Sequence, residues 1–244
     1  MELHYQRDGC CVGVHGGPRW FVSRQGEVTA QDSAVPASAE GIAADSFRHG
    51  PVEVLARAMR GQFCLHASAV LVNATDVLAF VGESGMGKST LARLIQEATG
   101  GGWPRVADDV LPVQMAQGEV VVDPSFLQPK LQPHEQFVRS SDAASLALAA
   151  MCLLEPAADD GTVRWRRARG VEAAAVVAGN TMGARLFDRQ LLEAHLSFST
   201  AVAAKVQVYR LQYPRQFSVA PQIIAWIAAD AGLVHASREG PYGG

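Results

Sequence analysis

The sequence predicts an α/β fold built on a mixed sheet, with a small antiparallel β region at its N-terminus. Three observations predict it. Gly82–Ser89 reads GESGMGKS, a full match to G-x-x-x-x-G-K-[ST], between an apolar strand (VLAFV) and a helical run (KSTLARLIQEA). The strand before it, FCLHASAVLV, is joined to DVLAFVG by NATD, whose Asn and Asp favour a turn. The two therefore form a hairpin, which puts an antiparallel pair into the core. Residues 9–30 alternate short apolar stretches (CCVGVHGG, RWFVS, GEVTA) with turn residues, a small antiparallel pattern.

The 244 residues divide into an N-terminal β-rich segment, 1–48, packed on a core of residues 49–240 that includes a C-terminal α/β part. Within the first, 31–46 is small and polar and reads as a loop. GPVEVLARAMRG (50–61) opens at Pro51 and ends at Gly61, with Val52, Leu55, Ala56 and Met59 on one face of a short helix. After the hairpin and its loop, the helix ends at Gly100–Gly102. RVADDVLPV is the next strand, QMAQG a turn, and EVVVDP a strand returning from it. Helical patches are expected around Ser141–Ala150, Val171–Ala178 and Phe187–His195. AASLALAAMCLL, twelve residues, reads as a buried helix or strand. AKVQVYRLQY is a strand, VAPQIIAWIAADA a last helix, and REGPYGG a frayed tail.

Composition narrows the function. The chain is 48% hydrophobic and 18% charged, enough to bury a real core. A net charge of −3 argues against a general electrostatic grip on nucleic acid or anionic lipid. The basic run RWRRAR (164–169) reads as a solvated face. Cys10, Cys11, Cys64 and Cys152 show no zinc spacing and no CxxC pair, so free thiols in a reducing compartment are expected. The N-terminus has no signal-peptide core, and no apolar run reaches the ~20 residues of a membrane helix. The expectation is a cytoplasmic protein with neither nucleic-acid nor membrane partners; homo-oligomerisation stays open.

The glycine-rich match carries most of the chemistry. Gly82, Glu83, Ser84, Gly85, Met86, Gly87, Lys88, Ser89 and Thr90 form a loop expected to bind nucleotide. Its glycines let successive N–H groups turn inward at phosphate oxygens, and the following helix end adds attraction. Lys88 reaches the β- and γ-phosphates, and the Ser89 hydroxyl can take Mg²⁺. Asp108–Asp109 follows about twenty residues on, after the apolar Val106 and Ala107, where a carboxylate can hold the magnesium that Ser89 also touches. One aspartate suffices for the metal. The other either orients a substrate hydroxyl and accepts its proton, or simply holds a turn. His66 shares a strand face with Cys64 and Ser68. It is either a satisfied core histidine or, because its strand pairs with the loop strand, a group near the γ-phosphate or metal. His4, His15, His49, His134, His195 and His235 have no supporting pattern. Arg215 in LQYPRQF either faces the phosphates or lies on the surface.

Taken together, LHASAVLV…AFVGESGMGKSTLARLI…VADDVLPV resembles the HPr kinase/phosphorylase-like family, which shares its nucleotide core with phosphoenolpyruvate carboxykinase. The family pattern is an upstream strand histidine, a loop of the form G-[DE]-S-G-x-G-K-S and an ADD strand, all present here in that order over residues 50–125. YRLQYPRQF looks like a segment of the smaller HPr-kinase-related proteins. These occur beside lasso-peptide biosynthesis genes and resemble tailoring kinases for a precursor serine, often the C-terminal one. The resemblance implies a P-loop mixed-sheet core, ATP and Mg²⁺ as cofactors, and a serine-bearing peptide or protein as partner. It implies Asp108 as the base, Asp109 with Ser89 at the metal, His66 at the phosphate and metal centre, and Lys88 on the phosphates. The segment with which the longer sugar-regulation enzyme removes phosphate has no match in AAVVAGNTMGARL.

The first expectation is thus an ATP-dependent serine kinase, whose power comes from positioning and charge neutralisation. Alternatives are a nucleotide-binding regulator or assembly protein with slow ATPase activity, or a small-molecule kinase. A pure switch needs neither a spare carboxylate nor a histidine, which favours the kinase.

Overall fold

In the computed structural model the described residues are 1–31, 46–126, 128, 131, 135, 137, 145–156, 161–214 and 216–229. The N-terminal strands β1 (Glu2–Tyr5), β2 (Gly9–Gly13), β3 (Arg19–Ser23) and β4 (Val28–Ala30) form a four-stranded antiparallel meander. Its inward residues Cys10, Val12, Trp20 and Val22 join the main core. Arg24 ties it down with an ion pair of 2.7 Å to Asp188, and the Tyr5 hydroxyl donates to the Leu186 carbonyl.

Arg48–Val52 is a π-helical turn containing Pro51, and it leads into α1 (Glu53–Met59). Ser46 and Phe47 are already helical, so helical geometry is in place before the expected start at Pro51. Val52, Leu55 and Ala56 are fully buried.

The central sheet holds β5 (Phe63–Leu71), β6 (Asp76–Val81), β7 (Arg105–Ala116), β8 (Glu119–Val122), β9 (Leu146–Glu155), β10 (Arg164–Ala168) and β11 (Gln207–Gln212). Their order is β10-β11-β9-β6-β5-β7-β8. β5 runs antiparallel to β6 and β7, whereas β6, β9 and β11 are parallel. The sheet is mixed, as expected, and β6 is where its direction rule changes. β8 also pairs with the start of β9, so five strands close on themselves at one end.

Local chemistry sets the turns. The Asn73 side-chain oxygen accepts from the backbone N–H groups of Thr75 (2.9 Å) and Asp76 (2.8 Å), closing the β5–β6 hairpin. Gln117 and Gly118 both have positive φ (51° and 82°) between β7 and β8, the geometry that matches strand twist in a two-residue hairpin.

Helices cover both faces, which is why the central strands read as continuous apolar runs. On one face α1, α3 (Gly170–Gly179) and α4 (Arg189–Lys205) pack on Leu65, Ala67, Val77, Ala79 and Met151. On the other, α2 (Lys88–Ala98) and α5 (Ala220–Ala229) pack on Leu78, Phe80, Cys152 and Leu211. Leu91 and Ile95 anchor α2; burying each such side chain contributes about 1.5–3 kcal/mol.

Some expectations change. The patch around Ser141–Ala150 is not helical where it is described: Leu146–Ala150 begin β9. A short apolar run has no periodicity to separate helix from strand, and here the sheet supplies partners on both sides. α4 continues to Lys205, so the strand after it starts at Gln207 and not at Ala204. The basic run 164–169 is an edge strand with Arg164–Arg167 exposed, and charged residues suit an edge. Residues 32–45 of the expected loop, His134, Arg215, His235 and the tail lie outside the described residues. Cys10, Cys64 and Cys152 are buried free thiols; burial pushes the Cys10 thiol up to about 11 and the Cys64 thiol up to about 12. Among the described residues no helix is long and apolar enough to cross a membrane.

Candidate functional site

The Gly82–Ser89 loop leaves the sheet at the end of β6 and runs into the start of α2. Its geometry depends on glycine at Gly87, which has φ 92° and sits at the cap of α2 without a side-chain capping bond. A Cβ there would lie 2.6 Å from the Tyr213 hydroxyl. That hydroxyl donates to the Met86 carbonyl (3.1 Å), so a residue just past β11 holds the loop's backbone. Glu83, Ser84 and Gly85 are exposed at the tip. Lys88 is only 7% exposed, and its ammonium donates to the carbonyls of Gly82 (2.8 Å) and Glu83 (3.0 Å). A cation is therefore held against the inner side of the loop. Ser89 is half-buried and Thr90 exposed on the first turn of α2.

Where β6 ends, Asn180–Met182, just after α3, takes over its place beside β5. The His66 N–H donates to the Asn180 carbonyl (2.8 Å), and the Met182 N–H donates to the Cys64 carbonyl (2.7 Å). His66 thus stands at the cleft where the loop strand leaves the sheet.

The aspartates come from the opposite edge of β5. Asp108 pairs with Ser68 across the β5–β7 ladder. Asp108 is 4% exposed, and its Oδ1 accepts from Ser68 Oγ at 2.7 Å. Ser68 Oγ in turn lies 3.4 Å from Ser89 Oγ. The other carboxylate oxygen lies 3.6 Å from the Arg105 guanidinium, whose Nε donates to Gln96 of α2 (3.1 Å). The carboxylate linked to Ser89, through Ser68, is therefore Asp108.

Asp109 pairs with Ala67, so regular alternation would aim it into the apolar face formed by Ala67 and Leu111. Instead its φ is 108°, a conformation that costs a non-glycine residue about 1–3 kcal/mol. Its carboxylate is 24% exposed and lies 3.6 Å from His66 Nδ1. Gln128 brackets this irregular point: its side chain accepts from the Asp108 N–H (2.9 Å) and donates to the Val110 carbonyl (2.8 Å). β8 does not reach this part of β7, and the buried Gln128 amide takes the place of a strand neighbour.

The structure thus brings together the loop, His66, Asp108 and Asp109. The sequence reading passed over Ser68, Gln128, Arg105 and Tyr213. Only Ser68 had a signal, because it shares a strand face with His66. A magnesium ion fits the donor set: Ser89 and Asp108 offer hard oxygens, and such an ion takes one or two carboxylates with the rest from phosphate and water. Among the described residues no group of three or more His, Cys, Asp or Glu forms an all-protein metal cage.

No protein-family model and no curated protein sequence matches the chain. Among solved structures, the Hpr(Ser) kinase/phosphatase from Coxiella burnetii is similar at 12% identity and a TM-score of 0.37, covering 67% of this chain and 93% of that one. At that level the similarity bears on neither activity nor ligand.

Proposed function

We propose that the chain is an ATP-dependent phosphotransferase that moves the γ-phosphoryl of MgATP to the serine hydroxyl of a peptide or protein, as a tailoring kinase for a lasso-type precursor does. One observation carries the reading: the Ser89–Ser68–Asp108 line and the His66–Asp109 pair meet at the opening of one glycine-rich loop. A nucleotide-binding switch has no use for the second carboxylate, which is half-buried beside His66.

In this reading Gly82–Thr90 bind the triphosphate as a P-loop, and the Lys88 ammonium exchanges the Gly82 and Glu83 carbonyls for phosphate oxygens. Ser89 and Asp108 hold Mg²⁺, which when bound neutralises phosphate charge. Asp109 faces the acceptor. It takes the serine proton as the serine oxygen bonds to the γ-phosphorus and the bond to the β-phosphate oxygen breaks. His66, beside Asp109, orients that carboxylate. This order reverses the roles that the family resemblance implies for the two aspartates. Accessibility supports the reversal, because a general base must reach its substrate and Asp108 is almost sealed.

The test is incubation with γ-labelled ATP, Mg²⁺ and peptides ending in serine. Label in the peptide supports the kinase. Slow release of phosphate with no labelled acceptor supports the regulator instead.

A further inference from the structure

At Asp109 the strand β7 has a strand neighbour on one edge only. β5 pairs with β7 from Arg105 to Val113, whereas β8 pairs with Val113–Ala116 and stops short. Among the described residues no strand lies along the other edge at Asp108–Val110. The chain between β8 and β9 fills that place with one side chain. Gln128 is 2% exposed. Its oxygen accepts from the Asp108 N–H at 2.9 Å, and its Nε2 donates to the carbonyls of Val110 (2.8 Å) and Phe126 (3.1 Å). These bonds use the acceptor and both donors of the amide. Its orientation is therefore fixed, because turned over it would set an oxygen against two carbonyls.

We infer that Gln128 is a positioning residue for phosphoryl transfer: it holds the backbone irregularity that aims the Asp109 carboxylate at His66 and the acceptor. The inference rests on the phosphoryl-transfer reading above, in which Asp109 is the base. One planar amide holds both the Asp108 N–H and the Val110 carbonyl, so their separation on either side of Asp109 is set. The residue between them takes φ 108°, and its carboxylate lies 3.6 Å from His66 Nδ1. An aspartate stays in that conformation only where its surroundings impose it. Two buried hydrogen bonds are of the right order to offset the strain. Without them Asp109 returns to ordinary strand geometry. Alternation then sends its carboxylate toward the face of Ala67 and Leu111, away from His66. Asp108 does not depend on the same support. Ser68 donates to its Oδ1 at 2.7 Å, and Arg105 stands 3.6 Å from its other oxygen. Arg105 is itself paired with Glu135, from the same β8–β9 connection. Loss of the Gln128 amide should therefore separate the two aspartates: metal binding survives and proton removal fails.

The experiment uses the full chain with γ-labelled ATP, Mg²⁺ and a peptide ending in serine. The variants are Gln128→Met, Gln128→Glu, Asp109→Asn and the double variant Gln128→Met with Asp109→Asn. Methionine keeps the length and volume of glutamine and makes neither backbone bond. Glutamate keeps the shape and sets an oxygen against both carbonyls. Circular dichroism at the assay temperature shows which variants are folded, and either Gln128 variant suffices. The single-turnover rate should fall by about tenfold to a hundredfold, with MgATP affinity changed by less than about threefold. On the Asp109→Asn background the same substitution should cost less than about twofold more, because its effect runs through that carboxylate. A crystal structure of Gln128→Met should show Asp109 at negative φ with its carboxylate away from His66. An unchanged rate, equal losses on both backgrounds, or an Asp109 that keeps its φ beside His66 overturns the positioning role alone. So does failure of both Gln128 variants to fold, which would make the residue a support of the fold. A wild type that labels no peptide, or an Asp109→Asn variant with the wild-type rate, brings down the reading of Asp109 as the base and the role of Gln128 with it.

Discussion

Ser68 on β5 and Asp108 on β7 are direct cross-strand partners, and the hydroxyl of the first lies 2.7 Å from the carboxylate of the second in a place closed to solvent. Ser68→Ala removes the donor and leaves that carboxylate with Arg105. We expect MgATP affinity to fall by about tenfold, the value of one hydrogen bond to a charged group. Calorimetry at low and high Mg²⁺ checks this, and raised Mg²⁺ should recover part of the loss.

The two aspartates should separate by metal response. Asp108→Asn should weaken MgATP and recover partly with excess Mg²⁺ or with Mn²⁺. Asp109→Asn should leave MgATP affinity nearly unchanged and slow transfer by about 10²–10⁴-fold, the range for loss of a general base. Single-turnover rates across a metal titration distinguish them. Rescue of Asp109→Asn but not of Asp108→Asn would restore the order that the family resemblance implies.

Lys88→Ala should reduce transfer by more than about a hundredfold, near 3 kcal/mol of transition-state stabilisation. The ammonium of Lys88 donates to carbonyls of its own loop, so the melting temperature should change little. A variant that unfolds, or one that keeps near-normal rate, contradicts the assignment.

Gly87→Ala should damage the loop through two named effects. Alanine disfavours φ 92°, and its Cβ would meet the Tyr213 hydroxyl at 2.6 Å. We expect lower affinity for nucleotide and for tripolyphosphate together. Selective loss of one of them would mean that the loop tolerates the methyl.

His195 gives a pH signature away from the site. It is buried against Phe63 and Phe187, and its Nε2 has no hydrogen-bond partner among the described residues. Burial lowers its pKa in the folded state. The unfolded chain therefore takes up this proton first, at about pH 6.5, and stability falls as the pH drops through that value. The loss ends once the folded state is protonated too. Urea midpoints at pH 7.5 and pH 5 should differ more for the wild type than for His195→Gln. An equal difference would show that this ring does not titrate on unfolding.

Much of this is legible in the sequence because chain punctuation marks it. Asn73 and Asp76 fix the hairpin, Gly100–Gly102 end α2, and the loop announces itself by its glycines. The run at Leu146 is legible only as apolar, since both its faces are buried. Gln128 and Tyr213 matter through partners far away in the chain, and nothing local distinguishes them. The approach of Asp109 to His66 depends on one positive φ in mid-strand, and an aspartate codon carries no sign of it. Alternation alone would send that carboxylate into the core.

Tyr213 grips Met86 across 127 residues of chain, and this gives the protein an order of assembly. The β5–β6 and β7–β8 hairpins close over short loops, whereas β11 must return to β9 after α3 and α4 have formed. Non-local parallel pairing comes late, and synthesis runs from the N-terminus. A nascent chain stopped before Gln207 would already own Lys88 and both aspartates, yet its glycine loop would have no clasp. On the proposed reading, competence to hold nucleotide would wait until β11 is in place.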